Sequence, residues 1–341
     1  MSRVNSRDIY LQLPKPYSFA SILGFGSTGF VCSALDADTG QFVAIKVVQQ
    51  MLSGEDSSLT LIGEKQAGNH LTNIVKVKKV VYDSFGTYLV MNLFPKSLKS
   101  HLLTWTSHHL SITQSKQLNQ ILTDIANALH TLHSSGQFSG TLKPSNVLID
   151  SQYNGYLCDC WGLSQQHGYL LKNEAELETL CYRSPELLWS NESGTAAGDM
   201  WAFGMLLLEM MEGGRIIDGE NPTEISSAIS RFRVSDHVEH LAKSQRTLLS
   251  HLLAKDPDRR WSIEDVLNSG KLPNFFDSIS LNGGSAASPL VVLNRSVSHK
   301  ETAIENQYTE ISRLEDSINA QEEEMKNLRE EWRALRTMKA D

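Results

Sequence analysis

The chain has 341 residues, of which 40% are hydrophobic and 21% are charged, and its formal net charge at pH 7 is -8. This composition is typical of a folded globular protein and excludes a disordered or fibrous one. The net negative charge argues against a general nucleic-acid binder, because binding to phosphate backbones needs clustered lysine and arginine.

The first part of the chain is rich in predicted strands. Phe42–Val48 and Tyr88–Met91 are β-branched or apolar runs, and turn residues such as Asp38–Gly40 bound them. Beyond about residue 98 the apolar residues take helical spacing, as at Leu118, Ile121, Leu122, Ile125, Leu129 and Leu132. Trp201–Met211 is apolar on nearly all sides, as a buried helix would be. The sequence therefore predicts an α+β protein with a small β-rich lobe followed by a larger α-helical lobe.

A glycine-rich turn precedes the second predicted strand. Gly24, Gly26 and Gly29 follow the pattern G-x-G-x-x-G-x-V, which ends at Val31. Glycines in this pattern let backbone N–H groups approach phosphates without a Cβ in the way. The pattern alone is weak, but a strand-like run follows it instead of the helix that a dinucleotide-binding fold requires, and the next strand carries Lys46. This arrangement predicts a loop folded over ATP, with Lys46 at the α- and β-phosphates.

The glycine loop and the strand ending Val-Ala-Ile-Lys46 are similar to those of the eukaryotic protein kinase family. The resemblance to that family extends from about Tyr17 to Phe276. The resemblance implies a bilobal kinase-like fold, ATP as the ligand and pairing of Lys46 with Glu64, which lies 18 residues further along. It also implies that Met91 precedes the hinge between the lobes. The implied nucleotide-site residues are Gly24, Gly26, Gly29, Val31, Ala44, Lys46, Glu64, Met91, Asn92, Leu93, Asn146 and Asp159.

Four further motifs extend the resemblance into the helical lobe. Leu142–Leu148 is similar to the catalytic loop, Thr179–Glu186 to the end of the activation segment, and Gly198–Gly204 to the start of the buried central helix. Asp256–Arg260 is similar to a late arginine motif, in which Arg260 would pair with Glu186. Each motif alone is compatible with an ordinary loop, turn or helix cap, but their joint order favours the kinase fold.

The resemblance breaks just before the catalytic loop. The family carries His-Arg-Asp there, and the aspartate accepts the proton of the substrate hydroxyl. Ser139, Gly140 and Thr141 occupy these positions here, while Lys143 is retained. A threonine hydroxyl has an alcohol-like pKa and cannot act as a carboxylate base, a role typically worth about 10²- to 10⁴-fold in rate. We therefore assign no catalytic residue and predict impaired phosphotransfer.

The residues expected to bind a metal ion leave two registers open. Counting 13 residues from Asn146 places Asp159 at the position of the family's metal-binding aspartate, with Trp161 packing where the family has phenylalanine. Aligning Trp161 and the glycine after it with the family's Phe-Gly places Cys160 there instead, which removes the oxygen ligand. Mg²⁺ prefers hard oxygen ligands. We favour Asn146 and Asp159 as the metal ligands, so Mg²⁺ binding depends on this register.

The C-terminal part of the chain differs in character from the rest. Residues 277–299 are rich in Ser, Gly and Asn and predict a flexible linker, whereas residues 300–341 contain no Gly or Pro and predict a coiled coil. The two seam positions hold Ile304, Ile311, Ile318, Met325 and Trp332, and Gln307, Leu314, Gln321, Leu328 and Leu335. Isoleucine followed by leucine at the seam favours a parallel homodimer. A coil shared with a different protein, or a helix folded back on the kinase-like lobe, is the alternative.

Two features bear on the cellular compartment. Residues 1–7 contain no apolar leader, and the longest strongly apolar run, Trp201–Met211, is too short to cross a bilayer. We therefore expect a cytoplasmic protein, with the nucleus as the alternative, and no membrane span. Cys158 and Cys160 lack a second cysteine pair at zinc-ligand spacing, so buried thiols are expected.

The sequence as a whole predicts a catalytically impaired, kinase-like scaffold or allosteric regulator. It would bind ATP, assemble through residues 300–341 and act on a protein partner such as an active kinase or a signalling complex. Two alternatives stay open. One is an active Ser/Thr protein kinase with a non-standard catalytic loop that uses Asp124 or Asp150, and the other is an interaction module that binds no nucleotide.

Overall fold

The computed structural model describes residues 13–26, 29–48, 72–83, 86–103, 111–160, 174–188, 190, 194–212, 214–239 and 241–277. All of them belong to the first of two units into which the chain divides, Met1–Gly284. Glu64, Trp161, nearly all of the predicted linker and the predicted coiled coil at 300–341 lie outside the described residues. The predictions made for them stay predictions.

An antiparallel sheet forms the first lobe. Its strands are β1 (Tyr17–Gly26), β2 (Gly29–Asp36), β3 (Phe42–Val48), β4 (Val77–Tyr82) and β5 (Thr87–Asn92), in the order β1-β2-β3-β5-β4. The turn between β2 and β3 closes where the Gly40 N–H donates to the Asp36 carbonyl at 2.8 Å, and Gly40 has φ +70°. A left-handed φ favours glycine, which explains the residue at this turn. The predicted strands at 42–48 and 88–91 are confirmed.

The second lobe is mainly helical. Its helices are α1 (Leu98–Leu103), α2 (Ile112–Ser134), α3 (Glu174–Leu180), α4 (Ala196–Glu212), α5 (Pro222–Arg231), α6 (Ser235–Val238), α7 (Lys243–Leu252) and α8 (Ile263–Asn268). Strands β6 (Lys96–Ser97), β7 (Val147–Ile149) and β8 (Gly155–Leu157) form a small sheet in that order. The predicted succession of a β-rich and a helical lobe is confirmed.

The two long helices carry the core of the second lobe. α2 begins at a capping box, in which Ser111 Oγ accepts from the Gln114 N–H at 3.2 Å and Gln114 Oε1 accepts from the Ser111 N–H at 2.9 Å. The predicted helical series Leu118–Leu132 lies buried along α2. α4 is buried on nearly all sides, as its sequence predicts, and a Cβ added at Gly204 would lie 2.8 Å from Leu253.

A cluster of apolar side chains joins the two lobes. Leu89 and Met91 of β5 pack in it, and Leu148 and Tyr156 of the small sheet lie against them. The backbone continues the junction, because the Val75 N–H donates to the Leu157 carbonyl at 2.8 Å. The junction fixes the first lobe against β7 and β8, the strands that border the catalytic loop.

The structure bears on two expectations, namely the buried thiols and the lack of a membrane span. Cys32 and Cys181 are buried thiols as predicted, whereas Cys158 and Cys160 are half-buried, and all four are free. Within the described ranges, no helix combines the length and the apolar character needed to cross a bilayer.

Candidate functional site

Lys46 and Asp159 form an ion pair between the lobes. Lys46 is buried in β3, where it pairs in register with Val31 of β2 and Leu89 of β5. Asp159 lies two residues after β8 and has φ +64°, a left-handed conformation that aspartate tolerates better than most residues. The pair brings a cation and a carboxylate together from opposite sides of the junction.

The glycine hairpin lies at the end of β1 and β2. Gly26 and Gly29 are paired across its tip, and Gly24 precedes them in β1. Gly29 has φ +145°, and a Cβ there would lie 1.9 Å from the Val47 carbonyl oxygen, so close approach of β3 requires glycine at this position. At Gly24 an added Cβ would meet nothing within 4 Å. Close packing with other described atoms therefore does not explain the glycine at position 24.

The predicted adenine side of the site is built by β3 and β5. Ala44 and Met91 are buried cross-strand partners, while Asn92 and Leu93 are exposed where the chain leaves β5. Leu148 of β7 packs against the cluster that contains Met91, and the sequence analysis did not assign it to the site. In the structure Leu148 alternates with two fully buried neighbours on its strand and so faces the opposite side of the sheet, which the uniformly apolar sequence Val-Leu-Ile does not reveal.

A buried aspartate fixes the residues before the catalytic loop. Asp199 of α4 accepts from the Ser139 N–H at 2.7 Å and from the Gly140 N–H at 2.8 Å, and His133 Nε2 lies 2.9 Å from the same carboxylate. Gly140 has φ +66°, which favours glycine. The backbone of the loop is thus held by α4, although the side chains that the family carries at these positions are replaced.

Thr141 faces into the protein. The side chain is buried, and its Oγ1 donates to the Asp159 carbonyl at 3.2 Å. The Thr141 carbonyl accepts from Asn146 Nδ2 at 2.8 Å. The hydroxyl is therefore a donor in the internal bonding of the loop, and an alcohol in this environment cannot take a proton from a substrate hydroxyl.

Asn146 and Asp159 each carry side-chain oxygen of the chemical type that a magnesium ion prefers. The amide nitrogen of Asn146 is bound to Thr141, which leaves its amide oxygen as the ligand, and the Asn146 carbonyl accepts from the Cys158 N–H at 2.9 Å. Mg²⁺ usually takes one or two protein oxygens and completes its shell with phosphate and water. The described part of the chain contains no group of three or more His, Cys, Asp or Glu able to hold a metal ion. Phosphate oxygens would have to complete the shell.

The structure places Asp159, not Cys160, opposite Lys46. Cys160 packs against the main core of the helical lobe, and its Sγ lies 3.5 Å from the Cys158 carbonyl oxygen. Burial raises the pKa of the Cys158 thiol to about 12 and that of Cys160 well above its usual range. The geometry therefore agrees with the register in which Asp159 is the metal ligand.

The two carboxylates considered as replacement bases have structural roles. Asp124 is buried, and its Oδ2 accepts from the Gly155 N–H at 2.9 Å, which ties α2 to β8. Asp150 Oδ1 accepts from the N–H groups of Gln152 at 2.8 Å and Asn154 at 2.9 Å and so closes the β7–β8 turn. The hypothesis that either one serves as the missing base gains no support from this geometry.

Lys143 contacts two consecutive residues of the activation segment. Its Nζ donates to Thr179 Oγ1 at 2.9 Å and lies 3.0 Å from Glu178 Oε2. Burial alone would raise the pKa of Glu178, but the charges of Lys143 and Lys99 and their hydrogen bonds lower it to about 2. No motif in the sequence pointed to Glu178. The one signal available was its position directly before Thr179 in the motif.

The end of the activation segment is anchored as the sequence predicts. Arg260 Nη1 donates to Glu186 Oε1 at 2.6 Å and Nη2 donates to Oε2 at 3.0 Å, so the pair is bidentate. Nη1 also donates to the Ala197 carbonyl at 2.7 Å, which connects the pair to α4. The predicted pairing of Arg260 with Glu186 is confirmed.

Comparison with known proteins decides the family. The family model for the protein kinase domain matches residues 17–270. The chain belongs to the protein kinase family. Cyclin-dependent kinase G-1 of Oryza sativa subsp. indica is 27% identical over 284 residues, which cover 71% of this chain and 40% of that protein.

Two further relatives cover different shares of the kinase chain. A probable serine/threonine-protein kinase MARK-A of Dictyostelium discoideum is 28% identical over 205 residues, 58% of this chain and 18% of that protein. Mitogen-activated protein kinase sty1 of Schizosaccharomyces pombe is 26% identical over 299 residues, 76% of this chain and 82% of that protein. The chain thus spans less than half of the rice and Dictyostelium relatives.

These findings confirm the predicted superfamily and its fold. They do not show catalytic impairment, and all three relatives carry the name of a kinase. The comparisons therefore support the alternative of an active Ser/Thr kinase better than the prediction of an impaired one. The pairing of Lys46 with Glu64 stays a prediction.

Proposed function

We propose that the chain binds ATP between the glycine hairpin and the Lys46–Asp159 pair, and that it regulates a protein partner through this bound state with little phosphotransfer of its own. The observation that carries the proposal is the orientation of Thr141. Its hydroxyl donates to the Asp159 carbonyl inside the loop, at the position where the family has a carboxylate base. Loss of that base is expected to lower the rate of transfer by about 10²- to 10⁴-fold.

Binding and transfer depend on different residues of this site. The hairpin backbone and Lys46 bind phosphate oxygens, while Ala44 and Met91 form an apolar surface for the base. Mg²⁺, held by Asn146 and Asp159, would neutralise phosphate charge. None of these contacts needs a base at position 141. The bound nucleotide can therefore stiffen the arrangement of the two lobes and shift the equilibrium between their conformations without reacting.

ATP binding is tested by a thermal unfolding titration of the full chain. We expect ATP with Mg²⁺ to raise the Tm in a saturable manner, because a ligand bound only by the folded state stabilises it. The variant Lys46→Met should lose most of the response. A flat titration of the wild-type chain would overturn the proposal and favour a module that binds no nucleotide.

A second candidate function is an active Ser/Thr protein kinase. The names of the relatives favour it, and so does the retention of Lys46, Lys143, Asn146 and Asp159 at positions that match the family. Transfer of the γ-phosphate to Ser/Thr peptides, measured beside Lys46→Met, separates the two candidates. Transfer that depends on Lys46 at a rate typical of kinases, about 1 to 100 per second, would replace the first proposal.

Assembly through residues 300–341 is a separate part of the proposal. The seven-residue seam of the sequence supports a parallel coiled coil, and the partner is a second copy of the chain or a protein with a matching coil. Sedimentation of the chain with and without the residues after His299 tests it. We expect a dimer that becomes a monomer on truncation, whereas a monomeric mass in both cases would contradict homodimerisation.

A further inference from the structure

Three separate elements direct donors at the carboxylate of Glu178 beside the catalytic loop. Glu178 Oε1 lies 2.6 Å from Lys99 Nζ of α1 and 3.7 Å from Arg215 Nη2, which follows α4. Glu178 Oε2 lies 3.0 Å from Lys143 Nζ and accepts from Ser145 Oγ at 3.1 Å. Residues far apart in the chain therefore converge on a single anionic group.

Among the side chains that the structure describes, the charges in this cluster do not balance. Three cations face one carboxylate, and two further acids lie nearby. Asp218 lies 3.6 Å from the far nitrogen, Nη1, of Arg215 and is half exposed. Glu209 is bound by the Tyr182 hydroxyl, and burial raises its pKa, which disfavours its charged form. The site therefore carries more positive charge than Glu178 neutralises.

The cluster is open to solvent on one side. The side chains of Glu178 and Lys143 are 11% and 9% exposed, whereas those of Lys99 and Arg215 are 48% and 33% exposed. An anion arriving from solvent would meet Lys99 and Arg215 first. Access to the buried Lys143 would require movement of α3, the short helix that carries Glu178.

We propose that Lys99, Lys143, Arg215 and the Ser145 hydroxyl form a binding site for a phosphate group, and that Glu178 is an occupant supplied by the chain itself. A phosphate dianion has three terminal oxygens and more charge than a carboxylate, so it matches three cations and a hydroxyl donor better. Binding of a phosphorylated peptide would displace Glu178 and release α3. The site is separate from the proposed ATP contacts at Lys46 and Asp159.

The first test removes the internal occupant from the full chain. Glu178→Gln keeps the size of the side chain and removes its charge, and Glu264→Gln, at an exposed glutamate of α8, is the matched control. Thermal unfolding is followed in inorganic phosphate and in sodium chloride of equal ionic strength. We expect phosphate to raise the Tm of Glu178→Gln saturably, with an apparent affinity at least about tenfold above that of the wild type, because a tethered competitor acts at millimolar effective concentration.

Further arms identify the groups and the source of the phosphate. Adding Lys99→Met to Glu178→Gln should abolish the response, whereas adding Lys46→Met should leave it unchanged. A phosphoserine peptide that stabilises Glu178→Gln more than its unphosphorylated form identifies a phosphopeptide as the ligand. If the phosphorylated and unphosphorylated peptides change the Tm equally while inorganic phosphate raises it, the ligand of the site is free phosphate and not a phosphopeptide.

The wild-type chain gives a test that does not depend on the variant folding. Saturating phosphate should speed hydrogen–deuterium exchange of residues 174–180 as Glu178 is displaced, and chloride should not. Equal phosphate responses in Glu178→Gln, Glu264→Gln and wild type would overturn the proposal. If Glu178→Gln does not fold in either salt, unchanged hydrogen–deuterium exchange of α3 in the wild type is sufficient by itself to overturn the proposal.

Discussion

Two glycines of the same hairpin have different physical reasons for being glycine. A Cβ at Gly29 would overlap the Val47 carbonyl oxygen at 1.9 Å, and its φ of +145° excludes most side chains. At Gly24 the same atom would enter open space. The sequence motif does not distinguish these positions, whereas in the structure Gly29 is required by the packing of β2 on β3 and Gly24 is not constrained by neighbouring protein atoms.

We predict that Gly29→Ala destabilises the chain by at least about 3 kcal/mol, because the clash and the backbone strain add. Gly24→Ala is the matched control and should change stability by less than about 1 kcal/mol. Urea unfolding followed by fluorescence measures both. Similar losses in the two variants would contradict the distinction between them.

Single residues of the site could be predicted where a motif has fixed local spacing. Gly24 and Lys46 follow from the order of short motifs along the chain, whereas the sequence left Asp159 and Cys160 as alternatives at the metal position. Glu178 does not, because its partners Lys99 and Arg215 lie 79 residues before it and 37 residues after it, and no spacing rule relates such positions. A lowered pKa caused by distant charges becomes visible only when the folded chain brings them together.

Helix α4 has a second role besides forming the core, because Asp199 near its start holds the backbone at Ser139 and Gly140. Both carboxylate oxygens accept backbone N–H groups. An amide in place of the carboxylate would set its NH₂ against one of these donors and leave that donor unsatisfied.

Asp199→Asn is therefore expected to destabilise the chain by about 2 to 4 kcal/mol and to speed hydrogen exchange at residues 139–141. Asp236→Asn, an exposed substitution in α6, should stay within about 0.5 kcal/mol of the wild type. Thermal unfolding and exchange measured on the same samples check the prediction. Protection at 139–141 that survives Asp199→Asn would show that α4 does not hold the loop.

Elements with strong periodicity were predictable, and the short ones were not. α2 and α4 follow from apolar spacing and from a nearly continuous apolar run. α3 has seven residues, and its place depends on the contacts of Glu178 with other elements more than on its own pattern. The two-residue strand β6 exists because it pairs with β7, which local sequence does not reveal.

Acid stability of the whole molecule depends on paired carboxylates. The pKa of Glu178 is lowered from 4.5 to about 2, and hydrogen bonds from Arg260 outweigh burial to lower the pKa of Glu186. A lowered folded-state pKa contributes stability above the unfolded value and loses it as the pH falls through the folded value. Asp124 acts in the opposite direction, because burial raises its pKa.

We predict that the free energy of unfolding falls as the pH drops from about 4.5 towards 2, with on the order of 3 kcal/mol attributable to Glu178. Glu178→Gln should flatten that part of the pH profile, and Glu264→Gln should not. Urea unfolding at a series of pH values measures the slope. An unchanged slope in Glu178→Gln would show that the pairing of Glu178 with Lys99 and Lys143 does not contribute to the pH dependence of stability.

The apolar cluster around Met91 and Leu148 has a consequence for how the kinase domain melts. Phe94 and Tyr156 add a ring contact there, with centroids 5.0 Å apart. Because β5 contributes Leu89 and Met91 to this cluster and the small sheet contributes Leu148 and Tyr156, neither lobe can lose its order without exposing the other's surface to water. Heating should accordingly produce one calorimetric transition in which the van't Hoff and calorimetric enthalpies agree.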